Sequence, residues 1–395
     1  MPLMMKNALN LFRWPLLCLL AVLAACELSN EKPPELDAPV LPENVYNYSN
    51  VDIPPFMAEG FSNGGIVVDN GQLINLDFAP SGNSFELANI TDAGATLGRV
   101  LFYDRQLSIN NAVACGSCHR QEFAFADGKK GSEGFGSKVT PRNSMGIVNV
   151  AMNNNLFWDS RIASLRLMVT QPVQNHIEMG MESMEVLSEK LAKADYYPPL
   201  FEAAFGTPEV TEGRIALALT QFLSSMITAN SKFDHGQENN FAAFSELEKM
   251  GQGLFFSERA QCSSCHSGPN FSAPDAPGGP YGGSDVRGTA NIGLDLVYQD
   301  NGKGEGQFKI PSLRNIALTA PYMHDGRFNT LEEVVEHYNS GIQAHHNLDP
   351  KFIGPDGNPK RLGLDVMEKS ALVAFLKTLT DEQLVQDPRF SDPFR

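Results

Sequence analysis

Two stretches, Cys115-Gly-Ser-Cys118-His119 and Cys262-Ser-Ser-Cys265-His266, share the pattern Cys-x-x-Cys-His. Cysteines at this spacing hold a porphyrin through two thioether bonds, and the adjacent imidazole binds its iron. A redox dithiol or half of a zinc site also needs paired cysteines, but neither explains a histidine directly after the second cysteine in both copies. The sequence therefore predicts two covalently bound haem c groups, with His119 and His266 as iron ligands.

Each haem motif is preceded by a similar stretch. Leu97-Gly98-x-x-Leu101-Phe102 lies before the first motif and Met250-Gly251-x-x-Leu254-Phe255 before the second. The spacing of their apolar residues predicts an amphipathic helix that brings its glycine into a close contact. Together with the motifs, these stretches predict a mainly α-helical protein of two cytochrome c-like haem domains that are related by internal duplication.

The similarity between the halves continues after the motifs. Arg142-Asn143 is followed by Trp158-Asp159-Ser160-Arg161, and Arg314-Asn315 is followed by His324-Asp325-Gly326-Arg327. From the last arginine of each stretch onward the register is constant. In the second copy we predict Thr330 to be the N-cap of a helix that runs to Tyr338.

The two copies differ where an iron ligand is expected. In this register Tyr338 is equivalent to Pro172 of the first copy, and proline offers no metal ligand. One haem can therefore gain a sixth protein ligand, while the other keeps an open position. An open haem binds peroxide or oxygen, whereas a six-coordinate haem passes electrons. Two unlike haems in one chain indicate an enzyme with a built-in electron relay.

Residues 1–25 have the features of a signal peptide. Lys6 and Arg13 precede the apolar run 16–25, which is too short to span a bilayer and ends in small residues. Leu23-Ala24-Ala25-Cys26 resembles a bacterial lipobox. We therefore predict that Cys26 becomes a lipid-modified N-terminus that anchors the protein to a membrane in the periplasm. Ordinary cleavage nearby is the alternative, and Glu27 after Cys26 favours the outer membrane.

A chain of 395 residues with 42% hydrophobic content is long enough for two domains. Residues 26–60 are rich in proline and predict an extended linker. Residues 61–240 then form the domain of the first haem, and residues 241–395 that of the second. Helical periodicity is clearest around 185–194, 212–227, 245–256, 331–338 and 367–379. Segments 60–80 and 270–310 are rich in Gly, Asn and Pro, and predict loops with a short hairpin.

The chain is acidic. Removal of residues 1–25, which carry two basic and no acidic residues, leaves 28 basic against 46 acidic side chains and a net charge of −18. This balance argues against nucleic acid as a partner. It could steer a basic redox protein to the surface, or serve solubility alone. Cys18 leaves with the signal, Cys26 takes the lipid and the other four cysteines take haem, so none remains for a disulfide.

From about Thr91 to Thr380 the chain resembles the bacterial dihaem cytochrome c peroxidase family, which includes MauG. The resemblance is carried by Pro141-Arg142-Asn143, Phe157-Trp158-Asp159, Pro172-Val173-Gln174 through Glu178-Met179, and Leu318-Thr319-Ala320-Pro321-Tyr322-Met323-His324-Asp325-Gly326. It implies two mostly helical cytochrome c-like domains with the haems on either side of their interface. It also implies that the N-terminal haem is peroxidatic and that the C-terminal haem transfers electrons.

The resemblance implies roles for two further side chains. Glu178 matches the distal acid, which takes a proton from hydrogen peroxide and returns it to the departing oxygen; taken alone, it could be a solvated carboxylate at a helix start. Trp158 matches an indole that lies between the haems and shortens the electron path, with interface packing as the simpler role. His324 is expected to be a hydrogen-bonding interface residue, and His176 a loop residue.

Tyr338 occupies the position of the sixth ligand to the second iron. Cytochrome c peroxidases of the well-known kind place a methionine there, and MauG places a tyrosine. A thioether raises the reduction potential, whereas a phenolate favours oxidised iron. His337 is the main rival, but neighbours on a helix point about 100° apart, so only one of the two can face the haem. Met323 and Met367 are weaker rivals.

Two positions near the first haem depart from the family pattern. Relatives that must be reduced before they react carry a displaceable histidine where this chain has Phe135, so we expect the first haem to be open from the outset. Met168 stands where relatives usually have a glutamine near the distal pocket. The hydrogen bonding to bound peroxide is therefore expected to differ from theirs.

The resemblance also implies a calcium ion between the domains. Asn143, Thr319 and Pro321 match the positions that hold it through an asparagine side chain and backbone carbonyl groups, and oxygen ligands suit calcium. The simpler role of Asn143 is to brace a turn. Relatives are often dimers, so a homodimer is a further expectation.

Three functions are consistent with these features. The first is a periplasmic dihaem c peroxidase that reduces hydrogen peroxide to water, with electrons from a small cytochrome c or copper protein relayed from the C-terminal haem to the N-terminal haem. The second is a MauG-like enzyme that uses peroxide to oxidise side chains of a partner protein, which Tyr338 and Phe135 favour. The third is a non-catalytic electron-transfer cytochrome, against which Glu178 argues.

Overall fold

A computed structural model describes residues 38–49, 54, 90–153, 155–272 and 288–394 in full, and the backbone of three strands between residues 66 and 89. The predicted signal peptide, Cys26 and most of the predicted linker lie outside the described residues. The described part belongs to one compact unit. Within that part, no helix combines the length and the apolar character needed to cross a membrane.

Helices dominate the described residues, and strands are few. The helices are α1 (Asp92–Tyr103), α2 (Cys115–Cys118), α3 (Leu165–Met168), α4 (Gln171–Gln174), α5 (Met184–Leu191), α6 (Tyr197–Phe205), α7 (Glu212–Ser225), α8 (Lys232–Glu238), α9 (Glu246–Phe255), α10 (Leu331–Glu336) and α11 (Val366–Lys377). The strands are β1 (Ile66–Asp69), β2 (Gln72–Asp77), β3 (Glu86–Asn89), β4 (Thr289–Ala290) and β5 (Phe308–Lys309). The prediction of a mainly α-helical chain is confirmed.

The strands form two small antiparallel sheets. In the first, β2 pairs with both neighbours, in the order β1-β2-β3. In the second, β4 pairs with β5, with Thr289 opposite Lys309. A hairpin was predicted within residues 60–80, and β1 and β2 form one there.

Short turns of other helix types link these elements. The 3₁₀ turns are Arg105–Leu107, Gln121–Phe123, Phe135–Ser137, Val150–Met152, Cys262–Ser264, Ile316–Leu318, Pro350–Phe352, Leu384–Gln386 and Pro388–Phe390. A π-helical turn, His337–Gly341, continues α10. Such turns are rare and often occur at functional sites.

Local sequence explains where several helices begin. Thr330 caps α10 as predicted: its hydroxyl oxygen accepts from the Glu333 backbone N–H at 3.2 Å, and the Glu333 carboxylate accepts from the Thr330 backbone N–H at 3.1 Å. Thr91 caps α1, because its hydroxyl oxygen accepts from the Gly94 backbone N–H at 3.0 Å. Helix α6, which was not predicted, contains Pro198 and Pro199, and proline is tolerated in the first turn of a helix.

Two helix pairs form the centres of two hydrophobic cores. Helix α1 packs against α7, and α9 packs against α11. In each pair a glycine allows the close approach: a Cβ at Gly98 would overlap the Ala218 carbonyl oxygen, and a Cβ at Gly251 would overlap that of Ala371. The predicted close contacts of both glycines are confirmed. Along the chain the first core reaches Ala229 and the second begins at Phe233, inside α8.

The same backbone geometry recurs in both halves at an offset of 166 residues. Asn149 and Asn315 both adopt the left-handed conformation, with φ of 52° and 59°, and each precedes a 3₁₀ turn. Equivalent isolated bridges join Leu156 to Ile162 and Tyr322 to Phe328. At this offset Asn315 corresponds to Asn149, whereas the sequence comparison set Arg314-Asn315 beside Arg142-Asn143. The pairings of Trp158 with His324 and of Pro172 with Tyr338 keep the same offset.

The C-terminal tail returns to the first core. Leu384 and Phe390 are 4% and 1% exposed and belong to that core. The Gln121 side-chain amide donates to the carbonyl oxygens of Leu384 and Asp387, both at 2.9 Å. The tail thus connects the end of the chain to the segment that follows the first haem motif.

Candidate haem-binding and active site

Both Cys-x-x-Cys-His motifs line one large cavity. Its volume is about 1090 Å³, and all four cysteines and both histidines of the motifs lie in its wall. This exceeds the roughly 300–1,000 Å³ of a typical pocket for one small molecule. Helix α2 presents the first pair of cysteines from a single turn, and the 3₁₀ turn Cys262–Ser264 presents the second. The cavity therefore has the size and the attachment points that two macrocycles need.

The two motif histidines are oriented alike. The His119 Nδ1 lies 2.8 Å from the Phe125 carbonyl oxygen, and the His266 Nδ1 lies 3.2 Å from that of Phe271 and 3.1 Å from that of Pro311. Because a carbonyl oxygen can only accept, Nδ1 carries the proton and Nε2 is left with a lone pair for a metal. Burial lowers the pKa of His119, and lowers that of His266 to about 4, so both imidazoles are neutral.

The four motif cysteines are half-buried, and none forms a disulfide. Burial raises the pKa of Cys115 to about 12, of Cys118 to about 11 and of Cys262 to about 12, and it also raises the pKa of Cys265. Redox-active cysteines have lowered pKa values. Among the described residues, no three His, Cys, Asp or Glu side chains are grouped to hold a metal ion. The surroundings suit covalent haem attachment better than a dithiol or a zinc site.

Glu178 lines the same cavity as His119. Burial raises the pKa of its carboxyl group, and Arg161 opposes this shift through its positive charge. Glu178 also borders a smaller pocket of about 280 Å³ that includes Arg161, Pro172 and His176. Glu178 is therefore a half-buried carboxyl group with a raised pKa, rather than the fully solvated carboxylate of the simpler interpretation.

Asn175 holds Glu178 in place and was not identified from the sequence. Its side-chain amide donates to Glu178 Oε1 at 2.9 Å, and its Oδ1 accepts from the Ile177 backbone N–H at 2.9 Å. Its carbonyl oxygen accepts from the backbone N–H groups of Met179 at 3.2 Å and Gly180 at 2.8 Å. The only sequence signal was an Asn three residues before the candidate acid, outside any periodic element.

The loop around Phe135 supports this turn from the other side. The Phe135 backbone N–H donates to the Glu178 carbonyl oxygen at 2.9 Å, and its ring packs against Gly180, which has a φ of 68°. The Lys138 ammonium donates to the His176 carbonyl oxygen at 2.8 Å, and the His176 side chain is exposed on the loop. Phe135 itself packs with the first core rather than lining the large cavity.

Around the second motif, Tyr338 lines the cavity and His337 does not. The His337 Nε2 donates to the Ile292 carbonyl oxygen at 3.0 Å, so this ring is engaged elsewhere. Met367 is 58% exposed and lies outside the cavity wall, whereas Met323 lines it. Burial raises the pKa of the Tyr338 phenol well above its usual range, and the cysteines Cys262 and Cys265 add to this shift. Tyr338 is thus better placed than His337 or Met367.

Trp158 lies where the two halves of the chain meet. Its indole N–H donates to the Asn143 carbonyl oxygen at 2.9 Å, and its own carbonyl oxygen accepts from the Lys309 backbone N–H at 2.7 Å. The His324 ring lies 6.5 Å from the indole, centroid to centroid. The His324 carbonyl oxygen accepts from the Asn143 backbone N–H at 2.8 Å, but its buried Nδ1 has no partner among the described residues.

The residues expected to hold calcium share the cavity wall. Asn143, Thr319 and Pro321 all line it. The Asn143 side-chain amide nitrogen donates to the Lys129 carbonyl oxygen at 2.8 Å, a bond that does not use its Oδ1. Amide and backbone carbonyl oxygens are the kinds of donor that suit calcium. Met168 and Pro172 also line this cavity, near the first motif.

Known proteins that this chain is similar to include dihaem peroxidases and MauG proteins. The di-haem cytochrome c peroxidase family model matches residues 92–241. The chain is 33% identical to the cytochrome c551 peroxidase of Nitrosomonas europaea over 73% of this chain and 80% of that protein. It is 32% identical to the methylamine utilization protein MauG of Methylorubrum extorquens over 74% and 80%. The crystal structure of a MauG-like protein associated with microbial copper homeostasis matches with a TM-score of 0.69 and 31% identity, over 88% of this chain and 99% of that one.

Proposed function

Because this chain belongs to the dihaem cytochrome c peroxidase family, which also contains MauG, we propose that it reduces hydrogen peroxide to water at its first haem. Membership makes it an oxidoreductase of the peroxidase type that carries two haem c groups. Electrons come from a small cytochrome c or copper protein and pass from the second haem to the first. The observation that carries the proposal is Glu178, a half-buried carboxyl group in the wall of the same cavity as His119.

Haem c held by Cys115, Cys118 and His119 supplies, when bound, an iron that takes up the oxidising equivalents of peroxide. Glu178 in its ionised form takes a proton from one peroxide oxygen and then gives it to the other oxygen, which departs as water. Asn175 fixes the carboxyl oxygen that it contacts. Trp158, between the two halves of the chain, shortens the path that electrons take to this site.

Replacement of Glu178 by Gln tests the proposal. The amide keeps the shape of the carboxyl group but cannot exchange a proton, so donor-dependent peroxide reduction is expected to fall about 10²-fold or more. Glu182→Gln is the matched control, because Glu182 is an exposed carboxylate four residues away. Unchanged turnover in Glu178→Gln, with both haems present by absorbance, would remove Glu178 from the mechanism.

A second function is favoured by Tyr338. A Tyr338 phenolate bound to the second iron would stabilise oxidised iron. This suits an enzyme that stores oxidising equivalents for a partner protein, which is the MauG-like oxidation of side chains. Stopped-flow mixing of the ferric protein with peroxide separates the two functions. A spectral change that persists without added donor favours the MauG-like function, and rapid turnover with a reduced cytochrome c or copper protein favours the peroxidase.

We also propose that the haem domains, residues 61–240 and 241–395, arose by internal duplication. The repeated glycine contacts and the constant offset of the loop geometry support this history. Calcium bound by Asn143, Thr319 and Pro321 would brace the meeting point of the two halves. Its loss after chelation should lower the thermal midpoint of the wild-type protein but leave that of Asn143→Ala unchanged.

The proposed location is the periplasm, with a lipid on Cys26 anchoring the protein to the outer membrane. Its support is the sequence pattern of residues 1–27. Replacement of Cys26 by Ser should move the protein from the membrane fraction to the soluble periplasmic fraction. A Cys26→Ser variant that stays with the membrane would exclude the lipid anchor. Sedimentation of the purified protein tests the proposed homodimer.

A further inference from the structure

A continuous row of ring side chains leads away from Trp158. The His324 ring lies 6.5 Å from the Trp158 indole, centroid to centroid, and stacks on Phe308 at 3.6 Å with an interplanar angle of 11°. The Tyr298 ring lies 6.3 Å from Phe308. Packed aromatic pairs have centroids about 4.5–7 Å apart or closer when stacked, so each ring contacts the next. We call these four residues the ring row.

The surrounding chain fixes the ring row. His324 and Phe308 are 5% and 7% exposed. Strand β5 carries Phe308, and the backbone N–H of the next residue, Lys309, donates to the Trp158 carbonyl oxygen at 2.7 Å. The Arg142 guanidinium lies over the Phe308 ring and pairs with Asp300 at 2.6 Å, which holds the loop that carries Tyr298. The buried His324 Nδ1 has no hydrogen-bond partner in the described structure, so hydrogen bonding at this atom does not explain the ring's position.

The row ends at the protein surface. Tyr298 is half-buried, and its hydroxyl group donates to Asn291 Oδ1 at 2.8 Å and accepts from the Leu294 backbone N–H at 2.9 Å. Two neighbours of Tyr298 in the chain, Leu296 and Val297, are 63% and 81% exposed. An apolar surface beside an oxidisable phenol is suited to the close approach of another protein's redox centre.

We propose that Tyr298 is a surface redox site, at which a one-electron donor protein docks on Leu296 and Val297 and supplies electrons to Trp158 through the ring row. The inference rests on the proposed peroxide reduction and adds a second entry for electrons, which reaches Trp158 without passing through the second haem. Tunnelling falls steeply with distance, and the ring row offers contact at every step. Electrons tunnel through Phe308 and His324, while Trp158 and Tyr298 are the groups that can be oxidised.

Reduction of one hydrogen peroxide to two waters needs two electrons, which this route supplies, and two protons, which are taken up from solvent. Each electron leaves the Tyr298 phenol for oxidised Trp158, and the phenol proton passes to solvent. The donor protein then returns one electron to Tyr298, which regains a proton from solvent. Two such cycles oxidise two donor molecules by one electron each.

Spin trapping followed by peptide mass spectrometry tests the relay. The ferric holoprotein is treated with one equivalent of hydrogen peroxide and a nitroso spin trap, without donor. An adduct on Tyr298 is expected in the wild type, together with its loss in Trp158→Phe and a large decrease in Phe308→Leu. Tyr46, which is also half-buried but lies off the ring row, is the internal control for direct attack by oxidant in solution.

The outcomes separate the two proposals. If the ferric protein leaves peroxide unconsumed, the proposed function fails and the relay fails with it. If peroxide is consumed while Tyr298 stays unmodified, or is modified equally in Phe308→Leu, the relay alone is wrong.

The docking surface is tested with a reduced basic cytochrome c as donor. Leu296→Ser combined with Val297→Ser should raise its KM about tenfold at unchanged kcat, since such contacts act on binding. Val366→Ser is the control, because Val366 is 78% exposed on α11. An unchanged KM in the double variant would exclude this docking surface.

Discussion

Three effects act on the Glu178 carboxyl group: burial, the opposing positive charge of Arg161 and a hydrogen bond from Asn175. Burial raises the pKa of its carboxyl group, while the Asn175 amide N–H, 2.9 Å from Oε1, stabilises the ionised form. The group must be ionised to take a proton from a ligand. Proton removal should therefore fail as the pH falls through a pKa that lies above the usual carboxyl range of about 4.3. The acid limb of the pH profile of this proton removal reports the pKa of Glu178.

Replacement of Asn175 by Ala should move that limb to higher pH. A hydrogen bond to a charged group contributes about 1.5–3 kcal/mol, and one pKa unit corresponds to about 1.4 kcal/mol, so the shift should be about one unit or more. Cyanide binding to the ferric protein is the measurement, because HCN must lose its proton on binding. The control is Gln174→Ala, an exposed neighbour. An acid limb at the same pH in Asn175→Ala and in the wild type would show that Asn175 stabilises only the turn and not the ionised carboxyl group.

Tyr338 gives a second prediction at the scale of one residue. Tyr338→Phe removes the phenol oxygen but keeps the ring, which packs on Phe352 at 5.7 Å. We expect the electron paramagnetic resonance signal of the low-spin haem to change and the high-spin signal to stay. Met367→Leu, on an exposed side chain, should leave both signals unaltered. An unchanged low-spin signal in Tyr338→Phe would refute ligation by Tyr338.

Sequence reasoning predicted that the motif residues share one site, and they line one cavity, because a short motif dictates the local geometry. His119 and His266 follow cysteines at fixed spacing and lie in the wall of that cavity. The angle between helix neighbours allows only one of Tyr338 and His337 to face a haem, and the family resemblance selects Tyr338. Asn175 was missed because its partner lies three residues away in an irregular turn, where no periodicity marks a contact. The stack of His324 on Phe308 joins distant segments, and nothing local encodes it.

At the scale of elements, the α9–α11 contact depends on one missing side chain. A Cβ at Gly251 would overlap the Ala371 carbonyl oxygen, a backbone atom that cannot move aside alone. Gly251→Ala should therefore lower the free energy of unfolding by about 1–3 kcal/mol. Gly253→Ala, on the same helix with open space around it, should instead stabilise the protein by roughly 0.5–1 kcal/mol. Thermal midpoints of the haem-loaded variants measure both, and equal midpoints would contradict the packing argument.

Amphipathic periodicity and capping residues predicted the elements that form these pairs. The pattern around Gly98 and Gly251 indicated both the helices and their close contacts. Helix α6 was missed because Pro198 and Pro199 suggest a loop, although both fit the first turn of a helix. Helix α8 was missed because it is only seven residues long, and a short helix has too few turns to show a periodic face.

At the scale of the whole molecule, the tail joins the end of the second half to the first core. The Phe390 ring lies 6.1 Å from Phe222, 6.3 Å from Tyr48 and 6.4 Å from Phe125. The Tyr103 hydroxyl donates to the Phe390 carbonyl oxygen at 2.6 Å. These partners lie more than 160 residues earlier in the chain. The tail itself has no periodic pattern, so its destination could not be predicted from the sequence.

Phe390→Ala should therefore destabilise the domain of the first haem, although the residue lies at the end of the second. Loss of a fully buried phenyl ring costs about 3–5 kcal/mol, because the transfer free energy is lost and a cavity remains. Val366→Ala, on an exposed side chain of α11, should change stability by less than about 0.5 kcal/mol. The measurement is hydrogen exchange of the backbone amides during mild heating. In Phe390→Ala, protection should fall first in α1 and α7, because these helices form the core that the phenyl ring fills, while α9 and α11 keep theirs. Loss of protection that begins in α9 and α11 would mean that the tail acts mainly on its own half.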